Sequence, residues 1–439
     1  MAFKLFKRKG KRACVIGLDG VPHSLLTDLM QRGAMPHTRD IMSQGVLRSM
    51  TVTLPEISSV SWSTFMTGKN PGEHGIFGFT DFKAGSYNLR FPSFRDLQTE
   101  TIWDRLGRSG LKSIVINQPS TYPAREIPGV LISGFVAIDI DKALYPRKYL
   151  PSLARAHYQV DIDAGECRDN PRKLFRDLAA LLECRRAILD ELWQKENWNL
   201  MEAIVTGTDR LHHFMWDAWE DPTHEYHEDF LDYYRRVDEF VGHVYSKFVR
   251  DGGSDNFFLL SDHGFCGTRN EVYVNTLLEQ HGFLKLKDGS DGSLETVTDG
   301  SKAFALDPAR IYIHRKERFP KGSVEDADVA AIKKDITDMF QAVQHEGQGI
   351  VRRVFDGDEV YSGPHARRGP DLLLIPRNGL DLKGRVGSTE IVGERRLQGM
   401  HTWDDAFFYS RRSDLLSASE EFTIVDVPHK IMRSLDVDA

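Results

Sequence analysis

Three short runs of apolar residues each end in an aspartate, and this recurrence constrains the fold more than any other feature of the chain. Ala13–Asp19 reads ACVIGLD, Met201–Asp209 reads MEAIVTGTD, and Asn256–Asp262 reads NFFLLSD. Runs of this kind, without polar alternation, are what a strand buried on both faces requires. Between them lie segments of helical apolar spacing, such as His23–Gly33 with Leu25, Leu26, Leu29 and Met30. Thr101–Ser109, stopped by Gly110 and followed by the strand-like Ser113–Asn117, repeats the alternation. Strand, helix and strand in that order predict a mostly parallel sheet covered on both faces, a three-layer α/β/α core. Ligands of open α/β sheets bind beyond the carboxyl ends of the strands, so Asp19, Asp209 and Asp262 are predicted to meet at one edge.

With 439 residues, 41% of them apolar, the chain can bury one large core or a core and a satellite. The pattern changes between residues 129 and 199. Loop-like Tyr145-Pro146-Arg147 and Asp161–Asp169 lead there into a long, highly charged amphipathic helix at Pro171–Trp198. We expect a small inserted cap at 129–199 on a core formed by 13–128 and 200–439. Glu271–Leu284 reads as a helix, Arg310–His314 and Asp371–Ile375 as strands, and Val427–Leu435 as a terminal helix. Residues 1–12, MAFKLFKRKGKR, read as a solvated basic tail, because a strand follows them and not the apolar stretch of a secretory signal. A net charge of −7 with 28% charged residues carries no signature of nucleic-acid binding or of a membrane surface. No apolar run approaches the ~18 residues of a membrane span. The four cysteines show no CxxC spacing and read as buried thiols of a reducing compartment, so a cytoplasmic location is expected.

Three carboxylates at one sheet edge repel one another strongly unless cations lie between them. Asp209 and His213 are four residues apart and share one face of a helical turn, and His263 adjoins Asp262 where a strand ends. One strand-end aspartate is ordinarily a helix cap, and an i, i+4 Asp/His pair is ordinarily a surface pair. Their joint occurrence points to metal, and a mixed Asp/His donor set suits Zn²⁺ or Mn²⁺ better than an all-oxygen cage suits Ca²⁺ or Mg²⁺. The stretch Leu54–Phe79 supplies hydroxyls (Ser58, Ser59, Ser61, Ser63, Thr64) just ahead of and into a short helix. The N-terminus of a helix offers unpaired N–H groups and a positive dipole to an anion such as phosphate.

Taken together, VIGLDG at 15–20, SSVSWSTFMTGKNPGEHGIFG at 58–78, TDRLHH at 208–213, SDHG at 261–264 and GMH at 399–401 resemble the alkaline phosphatase superfamily. Within it, they resemble the type I phosphodiesterase/nucleotide pyrophosphatase branch. The resemblance spans nearly the whole chain. It implies an alkaline phosphatase-like fold and two divalent ions, Zn²⁺ with Mn²⁺ as the alternative. Asp209, His213 and His401 would hold one ion, and Asp19, Asp262 and His263 the other. It further implies a nucleophile ten residues before Gly68, which is Ser58, itself a ligand of the metal site, with Ser59 as fallback. The substrate class it implies is a small phosphorylated molecule, cleaved through a phosphoryl- or nucleotidyl-serine. By the same comparison His212 falls outside the Asp-x-x-x-His pattern and reads as a packing residue, and His74 reads as structural.

Departures from the family pattern bear on specificity. Ser59, Val60 and Ser61 follow the nucleophile where the nucleotide pyrophosphatases carry an aromatic residue, Pro and Asn, so nucleotide specificity does not follow. Val60 and Trp62 stand where sulfatases carry Pro and Arg, which disfavours a sulfatase. A metal-dependent phosphomutase or phosphomonoesterase is the alternative within the superfamily, and a non-catalytic metal-binding scaffold the alternative outside it. Trp62, Trp103, Trp216 and Trp403 could line a base-stacking pocket but read more simply as core. Arg269, Arg310, Arg367 and Arg368 could grip phosphate but read as surface.

Overall fold

In a computed structural model of the chain, residues 11–253, 255–287, 292–416 and 421–438 are described. Most of the expected basic tail therefore lies outside the described residues. Its last two members are engaged: Lys11 pairs with Asp436, and the Arg12 guanidinium lies 4.2 Å above the Trp198 ring.

The expected three-layer architecture is present. Eight strands form the central sheet in the order Val46–Met50, Ala406–Ser410, Phe257–Leu260, Ala13–Leu18, Leu200–Val205, Ser113–Gln118, Gly129–Ser133, Leu144–Tyr145. The five from Phe257–Leu260 to Gly129–Ser133 run parallel, and the remaining pairings are antiparallel. Side chains alternate across the sheet, as the pleat demands. Cys14, Ile16 and Leu18 enter the core beneath the helices His23–Gln31, Pro171–Lys195, Gly207–Glu220 and His227–Arg250. Ala13 and Val15 face the opposite layer, made by Ser58–Thr67, Ile102–Arg108 and Val427–Ser434.

The segment 129–199 is not a separate cap. Gly129–Ser133 is a parallel strand of the main sheet, and Pro171–Lys195 buries Leu178, Leu181, Ile188 and Leu192 in the main core. Its charge misleads because, the buried Arg185 apart, the charged side chains lie away from the apolar face. The satellite lies instead at 268–398, where Asn270–Tyr273 is a strand and only Val274–Gln280 of the expected helix is helical. This lobe has a four-stranded antiparallel sheet (Ala303–Leu306, Arg310–Ile313, Leu372–Pro376, Val351–Asp356) and its own apolar cluster. It joins the core through a two-stranded ribbon in which Gly264–Gly267 pairs antiparallel with Gly399–Thr402. Of the cysteines, Cys14, Cys167 and Cys184 are buried, while Cys266 is partly exposed. Among the described residues no helix is long and apolar enough to cross a membrane.

Candidate active site

The neighbouring strands Phe257–Leu260, Ala13–Leu18 and Leu200–Val205 deliver Asp262, Asp19 and the start of the Asp209 helix to the same edge. Each carboxylate is buried and held from one side. Trp62 Nε1 donates to Asp19 Oδ2 at 3.1 Å, which leaves Oδ1 facing Ser58 Oγ at 3.4 Å. The Gly20 amide donates to Asp262 Oδ1 at 3.0 Å. Gly17 makes room for Trp62, since a Cβ there would lie 2.5 Å from Trp62 Cη2. Asp209 sits in the first turn of its helix, where the dipole favours a carboxylate.

The histidines come from three different places, and each fixes its ring in the same way. His213 Nδ1 donates to Gly399 O at 3.0 Å, His263 Nδ1 to Gly264 O at 3.0 Å, and His401 Nδ1 to Glu56 O at 2.9 Å. A carbonyl can only accept, so each neutral ring presents an Nε2 lone pair to the site. His213 Nε2 and His401 Nε2 lie 3.1 Å apart, and they are 3.4 and 3.2 Å from Asp209 Oδ1. His263 Nε2 is 3.6 Å from Asp19 Oδ1 and 3.4 Å from Asp262 Oδ2. Ring stacking of His263 on His401 at 3.7 Å ties the two groups together. The ribbon register, Phe265 opposite His401, is what brings the two together across the length of the satellite lobe.

Electrostatics in this site are unbalanced as the protein alone presents them. Burial, and then the facing Asp262 and Asp209, hold the Asp19 carboxyl well above its usual range. Burial pushes Asp262 up to about 7. Burial also opposes ionisation of Asp209, yet His213, His401 and Arg210 outweigh it and hold that group below its usual range. Burial depresses His213 and His401, and takes His263 down to about 4. Asp209 Oδ1 and Asp262 Oδ2 are buried without a hydrogen-bond donor. Two orphaned carboxylate oxygens beside converging imidazole lone pairs fit divalent cations in both chemistry and charge. Asp209, His263 and His401, and separately Asp19, Asp262 and His263, present ligand atoms within 4.8 Å of one another.

Ser58 opens the helix Ser58–Thr67, every residue of which is buried. Hydroxyls are tolerated there because they back-bond: Ser63 Oγ donates to Ser59 O at 2.6 Å and Thr67 Oγ1 to Ser63 O at 2.7 Å. Ser58 Oγ lies 3.1 Å from His263 Nε2, whereas Ser59 Oγ is buried without a partner. His212 faces away from the cluster, bonded to Gly20 O at 2.9 Å and Tyr234 Oη at 2.6 Å. His74 is fully buried and contacts Thr64 Oγ1 at 3.1 Å. Trp62, Trp103 and Trp216 are core residues. Arg310 is buried and clasps Phe77 O and Thr80 O, Arg269 pairs with Glu220, and Arg368 with Asp81. Two residues close to the cluster lie inside the quoted motifs but had no role at the site assigned to them: Trp62 beside Asp19, and Arg210 beside Asp209. The glycine at 17 was the available signal for the first. From His213 and His401 a cleft of about 990 Å³ runs along the satellite lobe past Phe79, Tyr87, Tyr273 and Lys383.

The parallel sheet, with acidic and imidazole side chains gathered at its carboxyl edge, has the fold of the alkaline phosphatase-like hydrolases compared below. Residues 13–404 match the type I phosphodiesterase/nucleotide pyrophosphatase family, and the chain belongs to that family. Members are metal-dependent, in keeping with the ligand groups described above. No curated protein matches the chain in sequence. In fold it is similar to phosphonoacetate hydrolase from Sinorhizobium meliloti 1021, at 16% identity and TM-score 0.67 over 98% of this chain and 96% of that one. It is also similar to alkaline phosphatase PafA, at 14% identity and TM-score 0.61 over the same shares. A third similar structure is an inactive variant of murine ectonucleotide pyrophosphatase/phosphodiesterase 5 in complex with AMP, at 14% identity and TM-score 0.57 over 98% and 96%.

Proposed function

We propose that the enzyme is a two-metal hydrolase of phosphodiesters or pyrophosphates that works through a covalent serine. The observation that carries this reading is the position of Ser58 Oγ, 3.1 Å from His263 Nε2 and 3.4 Å from Asp19 Oδ1 at the start of a buried helix. Asp209, His213 and His401 would hold one divalent ion, and Asp19, Asp262 and His263 the other, with Zn²⁺ or Mn²⁺ suited to the donors. Ions bound there supply Lewis acidity and neutralise phosphoryl charge. Ser58 Oγ attacks phosphorus in line with the leaving group, the P–O bond to that group breaks, and the alcohol or phosphate leaves through the cleft. Water then attacks the phosphoryl- or nucleotidyl-serine and returns Ser58 as its alcohol. Free N–H groups at the helix start and the helix dipole favour the negative charge that builds up on phosphorus oxygens.

A small phosphorylated substrate is in keeping with the similar structures, one of which binds phosphonoacetate and another AMP. The test is turnover of bis-p-nitrophenyl phosphate against p-nitrophenyl phosphate after chelation and re-addition of Zn²⁺ or Mn²⁺. Metal-restored preference for the diester is the expected result, and preference for the monoester would replace the reading with a phosphatase or mutase. Binding of metal without turnover of any ester would replace it with a scaffold.

A further inference from the structure

Six large apolar side chains are exposed among the described residues, and five of them lie on two loops beside the cleft. Leu89 and Phe91 belong to one loop, and Val136, Ile138 and Ile140 to the other. Phe91 and Ile138 are 73% and 88% exposed. The loops are neighbours because residues 120–124 brace both. The Ser120 amide donates to Phe135 O at 2.8 Å, the Phe94 amide to Tyr122 O at 2.9 Å, and the Ala124 amide to Lys142 O at 2.8 Å. Phe79, just ahead of the first loop, packs edge-on against Phe135 at 5.6 Å and lines the cleft together with Leu89.

Single exposed apolar residues are ordinary on a protein surface, but a group of them on adjoining loops is not. Both loops also turn the wrong side chains to water. Arg90 points back to Asp96 Oδ1 at 2.6 Å and Asp81 Oδ2 at 3.4 Å, so its strand neighbours Leu89 and Phe91 face outward. In the second loop Val136, Ile138 and Ile140 are exposed at alternate positions, while Phe135 is packed between Phe79 and the Arg210 guanidinium. The first loop is held at its base as well. Phe82 packs edge-on against Phe304, Tyr312 and Phe319, and Tyr87 Oη lies 2.5 Å from His314 Nε2.

Charge around the tips points to the occupant. Residues 81–96 and 134–149 hold Lys83, Arg90, Arg95, Lys142, Arg147 and Lys148 against Asp81, Asp96, Asp139 and Asp141, a cationic surplus on a chain of net charge −7. Lys83 and Arg95 are exposed and have no acidic partner among the described residues. The tips offer on the order of 400 Å² of apolar surface, well short of the ~800 Å² that each partner of a stable protein interface contributes. Apolar tips among cations suit instead the headgroup layer of a bilayer, where the tips reach the acyl boundary and the cations meet anionic lipid.

We propose that these two loops dock the enzyme, beside its cleft, on a lipid bilayer that carries anionic headgroups. The docking goes beyond the two-metal reading and does not rest on it. The full chain is sedimented with vesicles of phosphatidylcholine containing phosphatidylglycerol, and with vesicles of phosphatidylcholine alone. Wild type is compared with Phe91→Asp, Ile138→Asp, Lys83→Glu and Val249→Asp, the last at an exposed apolar residue outside the two loops. Expected is wild-type binding that is stronger on the anionic vesicles and weakens with salt. Phe91→Asp and Ile138→Asp should each weaken it roughly tenfold or more. Lys83→Glu should weaken it by less, and Val249→Asp not at all. All four variants should melt as wild type does. No binding to either vesicle, equal binding to both, or tip variants that bind as wild type does would each overturn the proposal. The last result would assign the binding to the basic residues 1–12 instead. A concentration-dependent dimer that the two tip variants dissolve, without vesicle binding, would overturn it in favour of a second copy of the chain. Binding is read without turnover, so its failure leaves the hydrolase reading intact, and an inactive enzyme that binds vesicles through the tips leaves the docking intact.

Discussion

The two ligand groups of the site are built differently. Asp19, Asp262 and His263 stand at the ends of adjacent parallel strands and are buried almost completely. Asp209, His213 and His401 draw on a helix and on the returning strand of a ribbon, and the side chains of His213 and His401 keep 16% and 13% of their surface open to the cleft. The inner group is therefore anchored directly to the ends of the central strands. The outer group holds its geometry only while Gly399–Thr402 stays paired with Gly264–Gly267. On the two-metal reading proposed above, the first would keep a permanently held ion and the second an ion that meets the incoming substrate.

Losses should follow that division. The largest effect is expected at the residue between the groups: Ser58→Ala should reduce turnover roughly 10³-fold or more while metal content stays near wild type. Near-normal turnover in that variant would remove the nucleophile assignment. Asp262→Asn should abolish tight binding of the inner ion and leave the outer one measurable by titration. Loss of both ions together would show that the groups are not separable. Gly264→Ala places a Cβ 2.4 Å from Thr402 Oγ1. By disturbing the ribbon it should weaken the outer ion about tenfold and the inner ion, whose His263 is fixed by the Gly264 carbonyl, by less. An equal loss at both would refute the ribbon's separate role.

The comparison also has a pH signature. The Asp262 carboxyl, raised to about 7 by burial, must lose its proton before it can bind a cation. The Asp19 carboxyl, also raised by burial and by its acidic neighbours, must lose its proton too, so inner-ion affinity should fall at least tenfold for each unit of pH below about 7. Titrations between pH 5 and 8 decide this, and a flat profile would show that Asp262 is already ionised. The smallest functional effect is expected at His212. His212→Phe leaves Gly20 O and Tyr234 Oη without their partner and should lower stability by about 1–3 kcal/mol. Metal content should remain unchanged, and its loss would move His212 into the site.

Much of this molecule was legible before any coordinates. Buried strands of Val, Ile, Leu and Phe ending in Asp announce themselves locally, and so does an i, i+4 pair on a helix. The expected cap at 129–199 failed for a physical reason. A long helix at the surface of an α/β layer is charged on one face and apolar on the other, and its composition alone does not show what the apolar face covers. The satellite at 268–398 was missed because, apart from the hairpins Ala303–Leu306/Arg310–Ile313 and Gln344–His345/Gln348–Gly349, its strands pair across long stretches of chain, and nothing in a single run of sequence marks such partners.

What the sequence by itself determined is the set of chemical groups and the sheet edge that would gather three of them, because strand burial and helical periodicity act within a few residues. Only the tertiary structure decided that His401 stacks on His263, that Trp62 turns Asp19 toward Ser58, and that Arg210 reaches Asp209. Those contacts join residues far apart in the chain. They depend on packing and register, which emerge only once the whole core has closed.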